Sequence, residues 1–233
     1  FQNKCLGRMG EIAKEGRTIL FVSHNMAAVS ALCSKAMVLG NGLIDFPIGN
    51  VDEAIGHYLK QVYKVTDIRL KDRKDRQGEG NICIIDFAIF DKDGNKQAIL
   101  VSGQYAEFRI YYECVDKKQR HTNVVAGIAI TSSTGVFITM LSNQLASEAF
   151  KEIDQRGVIS CIIKKLPFAS GSYTCNLIIR QNDIIQDWIQ EAVTLIVEQG
   201  DFYGTGRIPP ATHGGFFIEQ TWLVNKETVA DEV

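Results

Sequence analysis

Residues Ala106–Val115 read AEFRIYYECV, and their alternation decides the fold. Phe108, Ile110, Tyr112 and Cys114 fall on one face of a two-residue period, while Glu107, Arg109, Tyr111 and Glu113 fall on the other. Only a strand with one buried and one wet face gives that pattern. Tyr173–Arg180 repeats it, with Tyr173, Cys175, Leu177 and Ile179 opposed to Thr174, Asn176 and Arg180.

Outward from these two stretches the same period recurs. Asn81–Phe90 alternates, with Ile85, Phe87 and Ile89 on one face, and ends in the turn Asp91-Lys92-Asp93-Gly94-Asn95. Ala98–Val101 is short. Val124–Thr131 and Val136–Leu141 flank the turn Ser132-Ser133-Thr134-Gly135. Val158–Leu166, Ala192–Glu198 and Phe216–Val224 complete the set, and Trp222 in the last is expected in the core. About eight or nine short strands without a helical period predict a mainly β domain over 81–233, an antiparallel, immunoglobulin-like β-sandwich. The tail Lys226–Val233 is polar and reads as frayed.

The first 65 residues follow another rule. Phe1–Gly16 has helical spacing; Thr18–Val22 is a continuous apolar run suited to a buried strand; Ala27–Lys35 reads as a helix. Gly40-Asn41-Gly42 marks a hairpin between Ala36–Leu39 and Leu43–Phe46, and Val51–Val65 is amphipathic, with Val51, Ala54, Ile55, Tyr58, Leu59 and Val62 inward. This is an α/β arrangement, and Ser23-His24-Asn25 stands at the carboxyl end of its strand, where such sheets bind ligands. Between the two parts, residues 66–80 read TDIRLKDRKDRQGEG, dense in both charges: a linker by composition, or a short basic patch for anionic lipid or phosphate.

Whole-chain totals exclude several classes. The chain of 233 residues is 45% hydrophobic and 22% charged, with a net charge of -2, which argues against a general nucleic-acid binder. Six cysteines without a CxxC pair read as small buried hydrophobes in a reducing compartment, and four scattered histidines form no metal motif. No apolar run approaches the ~20 residues of a membrane span. Phe1 is not a natural initiator, so the chain reads as cut from something longer.

Two sets of residues carry a resemblance. Glu15-Gly16-Arg17-Thr18 with Phe21-Val22-Ser23-His24, followed by Met37-Val38-Leu39 and Asn41-Gly42-Leu43-Ile44, is similar to the end of an ABC-transporter ATPase domain. Asp91-x-Asp93-Gly94, Phe168-x-x-Gly171-x-Tyr173, Gly200-Asp201-Phe202-Tyr203-Gly204-Thr205-Gly206 and Trp222 resemble the second domain of Wzt-like subunits, the ATP-binding subunits of O-antigen and polysaccharide exporters. The resemblance implies a division into 1–65 (end of the nucleotide-binding domain), 66–80 (linker) and 81–233 (polysaccharide-binding sandwich). It also implies a cytoplasmic location at the inner face of the bacterial inner membrane, a homodimer and a membrane-spanning permease partner. His24 would be the switch histidine of the complete parent domain, with ATP and Mg bound there. This chain lacks a GxxxxGK[ST] phosphate loop and the signature motif, so alone it is expected to hydrolyse nothing and to need no cofactor or metal.

Sugar binding needs aromatic faces and planar polar groups. Glu107, Arg109 and Tyr111 offer both, Asn176 and Arg180 lie on the same kind of face, and Trp188 within Ile184–Gln190 is a stacking candidate in a loop or strand end. The structural alternative for the row is an ordinary solvated face with ion pairs. Phe202 and Tyr203 among glycines read mainly as structural, with a dimer contact or strand exchange as their further use. A glycosidase fails on distance: Glu107 and Glu113 are three same-face steps apart, ~20 Å along the strand, against ~5–9.5 Å for a catalytic pair. The expected function is non-covalent selection of the exported glycan. The alternative is an assembly module that dimerises the ATPase and binds no sugar.

Overall fold

The computed structural model describes residues 18–23, 26–40, 42–63, 69–116, 120–132, 134–210 and 215–223. Phe1–Gly16, His24 and the 226–233 tail lie outside them, so the switch-histidine reading has no geometry here.

The α/β part begins differently from its expectation. Residues 18–23 form no strand, and Leu20 and Val22 are 86% and 96% exposed. A strand apolar on both faces needs neighbours on both sides, and no described strand pairs with it. The helix α1 (Met26–Leu32) follows, then the antiparallel hairpin β1 (Lys35–Gly40) and β2 (Leu43–Asn50), and α2 (Val51–Tyr63). The Asn50 side chain caps α2 by accepting the Glu53 N–H at 3.3 Å. Val51, Ala54 and Ile55 are buried as the helical period requires. Met26, Val51 and Ile55 then pack on Ile196 of the sandwich, and the Met26 N–H donates to the Glu198 carboxylate.

The charged stretch also buries more than its composition suggests. Leu70, in the 3-10 turn Leu70–Asp72, is part of the main core, and Gln77 bridges to Trp188.

Two sheets make the sandwich. The first has the order β10 (Arg156–Ile163), β6 (Ala106–Cys114), β3 (Ile82–Phe90), β4 (Lys96–Gln97). The second runs β5 (Leu100–Val101), β12 (Ile184–Glu198), β11 (Gly171–Gln181), β7 (His121–Ser132), β8 (Phe137–Ser142), with β9 (Phe150–Ile153) also against β7; a single helical turn, α3 (Asn143–Ala146), follows β8. All pairings are antiparallel except β5–β12. Phe108, Ile110 and Tyr112 of β6 share one core with Tyr173, Cys175, Leu177 and Ile179 of β11, as their alternation demands. Burial raises the thiol of Cys114 to about 11 and that of Cys175 further, which leaves both as inert hydrophobes.

Three strand readings change. In β3 the pairing shifts between Ile84 and Asp86, so one residue is extra; Ile82 and Ile84 are inward before the bulge, Phe87 and Ile89 after it, and Ile85 is only half-buried. β12 is one strand of 15 residues, so Ile184–Gln190 is no loop. It is joined to β11 by Asn182-Asp183, both at positive φ (49° and 64°), the conformation of a tight hairpin turn. Finally, Trp222 is 86% exposed, and residues 216–223 form no strand. Phe217 alone is buried there, against Phe202, and its N–H donates to the Pro167 carbonyl at 2.6 Å; past that pocket no described strand is available to continue pairing.

Candidate functional site

Strand pairing places the outer face of the four-stranded sheet. Arg109 stands opposite Ser160 on β10 and Ala88 on β3, Glu107 opposite Ile162 and Phe90, and Tyr111 opposite Val158 and Asp86. Glu107 and Arg109 therefore sit on the interior strand β6, with an exposed row of β10 on one side and the half-buried Phe90 and buried Ala88 of β3 on the other.

They lock each other. Arg109 Nε and Nη2 donate to Glu107 Oε1 and Oε2 at 2.9 and 2.8 Å, a bidentate pair, and the Ser160 hydroxyl donates to Glu107 Oε1 at 2.7 Å. The Arg109 guanidinium lies 3.9 Å from the centre of the Phe90 ring. Hydrogen bonds from Arg109 first and Ser160 second hold the Glu107 carboxyl below its ordinary range, and Glu107 in turn raises Arg109. The result is a flat, pre-ordered array: a carboxylate, a guanidinium on an aromatic face, a serine hydroxyl and the half-buried Tyr111 beside them. Such a surface offers acceptors, donors and an apolar face together, without a deep pocket.

The other three candidates are on the opposite sheet. The Asn176 side chain accepts the N–H of Glu191, which sits at a positive φ of 45° where the β11–β12 register shifts, so it supports an irregular strand. Arg180 donates to Gln144 at 3.1 Å and lies 3.7 Å from Asp183. Trp188 pairs with Ile178, half-buried, and its backbone exchanges hydrogen bonds with Gln77. The core of the sandwich separates these residues from Glu107, Arg109 and Tyr111, so the six candidates form two surfaces, not one.

Phe90 and Ser160 complete the array, and the sequence by itself does not mark either of them. Ser160 falls on the outer face of an alternating run, Val158-Ser160-Ile162, but its meeting with Glu107 depends on β10 pairing with β6 across 40-odd intervening residues.

No three His, Cys, Asp or Glu residues among those described gather around a metal position, and the chain has no phosphate loop. No described helix is long and apolar enough to cross a membrane.

Comparison with known proteins places the architecture. Residues 73–208, more than half of the chain, match the family of the Wzt C-terminal domain. A crystal structure of the C-terminal domain of Wzt superposes with a TM-score of 0.53 at 19% identity, covering 66% of this chain and 90% of that one, a likeness of fold. The teichoic acids export ATP-binding protein TagH of Bacillus anthracis is 34% identical over 79 residues, 34% of this chain and 14% of the relative. The TagH of Levilactobacillus brevis is 27% identical over 106 residues, 45% of this chain and 28% of the relative. The matched stretches thus span well under a third of the length of either relative.

Proposed function

Because this chain belongs to the Wzt C-terminal domain family, we propose that it is the glycan-selecting part of the ATP-binding subunit of a polysaccharide ABC exporter. The glycan lies non-covalently on the outer face of the four-stranded sheet. One observation carries the reading: Glu107, Arg109 and Ser160 form a closed hydrogen-bonded array over Phe90, held in place before any ligand arrives. Preformed acceptors and donors spare the entropy of ordering them on binding. The names of the relatives, export ATP-binding proteins for teichoic acids, support the exporter class. An O-antigen type of polysaccharide, a homodimer, a permease partner and a cytoplasmic position at the inner membrane face belong to the same proposal. ATP and magnesium would bind in the remainder of such a subunit, where His24 would face the γ-phosphate.

A second reading has its own observation. Ile218, Trp222 and Leu223 are 70%, 86% and 79% exposed, a run of apolar surface suited to contact with another chain. On that reading the sandwich is an assembly module, and sugar plays no part.

Titrating the chain with the host organism's own O-polysaccharide, while following amide shifts by NMR, separates the two. Saturable shifts centred on Glu107, Arg109 and Ser160 are expected. A stable dimer whose spectrum does not move would leave the assembly module as the function.

A further inference from the structure

A cleft of about 540 Å3 opens at one side of the sandwich, between β9 and β10. Each of these strands ends its sheet there, since among the described residues β9 pairs only with β7 and β10 only with β6. The corner between them is fixed to β6: the Cys114 N–H donates to the Gln155 carbonyl at 2.7 Å. The cleft is therefore a built feature rather than a loose loop.

Its lining has a definite chemistry. Tyr112, 4% exposed, forms the inner wall. Phe150, half-buried, and Val158, 47% exposed, supply apolar surface. Glu152 and Asp154 supply two carboxylates, and Ser160 completes the side toward β6. Ser160 also donates to Glu107, so the edge strand β10 stands between the cleft and the Glu107–Arg109 array and carries a residue that touches both.

We propose that this cleft is a subsite for an uncharged sugar residue, neighbouring the outer face of the four-stranded sheet across β10; it rests on the glycan reading above. Carboxylates accept the hydroxyl hydrogens of a pyranose, and an aromatic ring with a branched aliphatic neighbour covers its C–H face. No cation lines the cleft. Arg120, 3.8 Å from Glu152, is outside the lining and 84% exposed, so it is largely screened. Arg109, outside the lining, is already matched by Glu107. A phosphate or uronate would meet two carboxylates with only the solvent-exposed Arg120 beside them as counter-charge, and be repelled. The preferred cargo at this subsite is thus unlike the polyanionic teichoic acids in the relatives' names.

Affinity electrophoresis of the full chain in gels containing mannan, a galactan, a glucan or poly(glycerol phosphate) tests this, with Asp154→Asn, Val158→Lys and Arg109→Ala alongside the wild type. Melting temperatures verify that each variant is folded. Retardation of the wild type by at least one uncharged polymer and not by poly(glycerol phosphate) is expected. Asp154→Asn should weaken it several-fold, and Val158→Lys tenfold or more. Wild-type affinity in both cleft variants, with loss in Arg109→Ala alone, would overturn the subsite while leaving the glycan reading standing. Stronger retardation by poly(glycerol phosphate) would overturn the uncharged class. Absence of retardation by all four polymers would overturn the subsite as a general site for uncharged sugars, whereas the glycan reading is decided by the titration with the host O-polysaccharide.

Discussion

Arg76 Nη1 lies 3.3 Å from Oδ2 of Asp187, a carboxylate that is 1% exposed. The same oxygen accepts the Ile84 N–H at 2.6 Å, and Arg76 Nη2 donates to the carbonyls of Leu70 and Ile84 at 2.7 and 2.9 Å. One buried charge thus ties the charged stretch to β3 and β12. Asp187→Ala is expected to lower unfolding free energy by about 2–3 kcal/mol, since it strands the Ile84 N–H and the Arg76 charge together. Asp187→Asn keeps an acceptor for Ile84 and should cost less. Urea denaturation of both variants decides it; equal losses would mean that the ion pair, not the hydrogen bond, dominates.

Burial raises the Asp187 carboxyl above its ordinary value, against the lowering effects of the Ile84 N–H and Arg76. A raised carboxyl binds its proton more tightly in the folded state. Its contribution to stability is therefore full below the unfolded value and is lost as pH rises through the folded one. The wild type should lose stability relative to Asp187→Asn as pH climbs from the ordinary Asp range. Urea midpoints measured at successive pH values check the sign, and a relative gain would refute it.

Arg109→Ala and Arg180→Ala should behave differently although both arginines were candidates. Each is partly exposed and paired at the surface, so each change should leave the melting temperature nearly unchanged. Glycan affinity should fall at least tenfold in Arg109→Ala, which frees Glu107 and uncovers Phe90, and stay unchanged in Arg180→Ala on the opposite sheet. Isothermal titration with the cognate polysaccharide reads both.

Gly78 has a φ of +130°, and a Cβ there would sit 2.5 Å from the Gln186 carbonyl oxygen. Gly78→Ala is expected to cost about 2 kcal/mol or more by forcing residues 77–80 off the edge of β12. Amide exchange should then quicken at Gln77 and Gly80, whose N–H groups donate to Trp188 and Gln186.

Tryptophan emission reports the two indoles separately. Trp222 is 86% exposed and Trp188 half-buried. In Trp188→Phe the remaining emission should be red-shifted and quenched readily by acrylamide when the protein is dilute. A blue shift with rising concentration would show that residues 218–223 are covered by another copy.

The sequence alone determined the β character of residues 81–198 and which side of β6 and β11 faces the core. Those properties reside in a two-residue period, and a period is local. It likewise marked Glu107, Arg109 and Tyr111 as one row, since residues two apart on a strand share a face whatever the sheet does. Tertiary structure alone decided what stands beside that row. Ser160 and Phe90 reach Glu107 and Arg109 through pairing with β10 and β3, while Asn176, Arg180 and Trp188 go to the other sheet. The same holds for exposure. The apolar segments at 18–22 and 216–223 look like strands because their composition suits burial, yet burial also requires a partner, and no described strand provides one. Alternation says which way a side chain points; only the packing of distant strands says what it meets there.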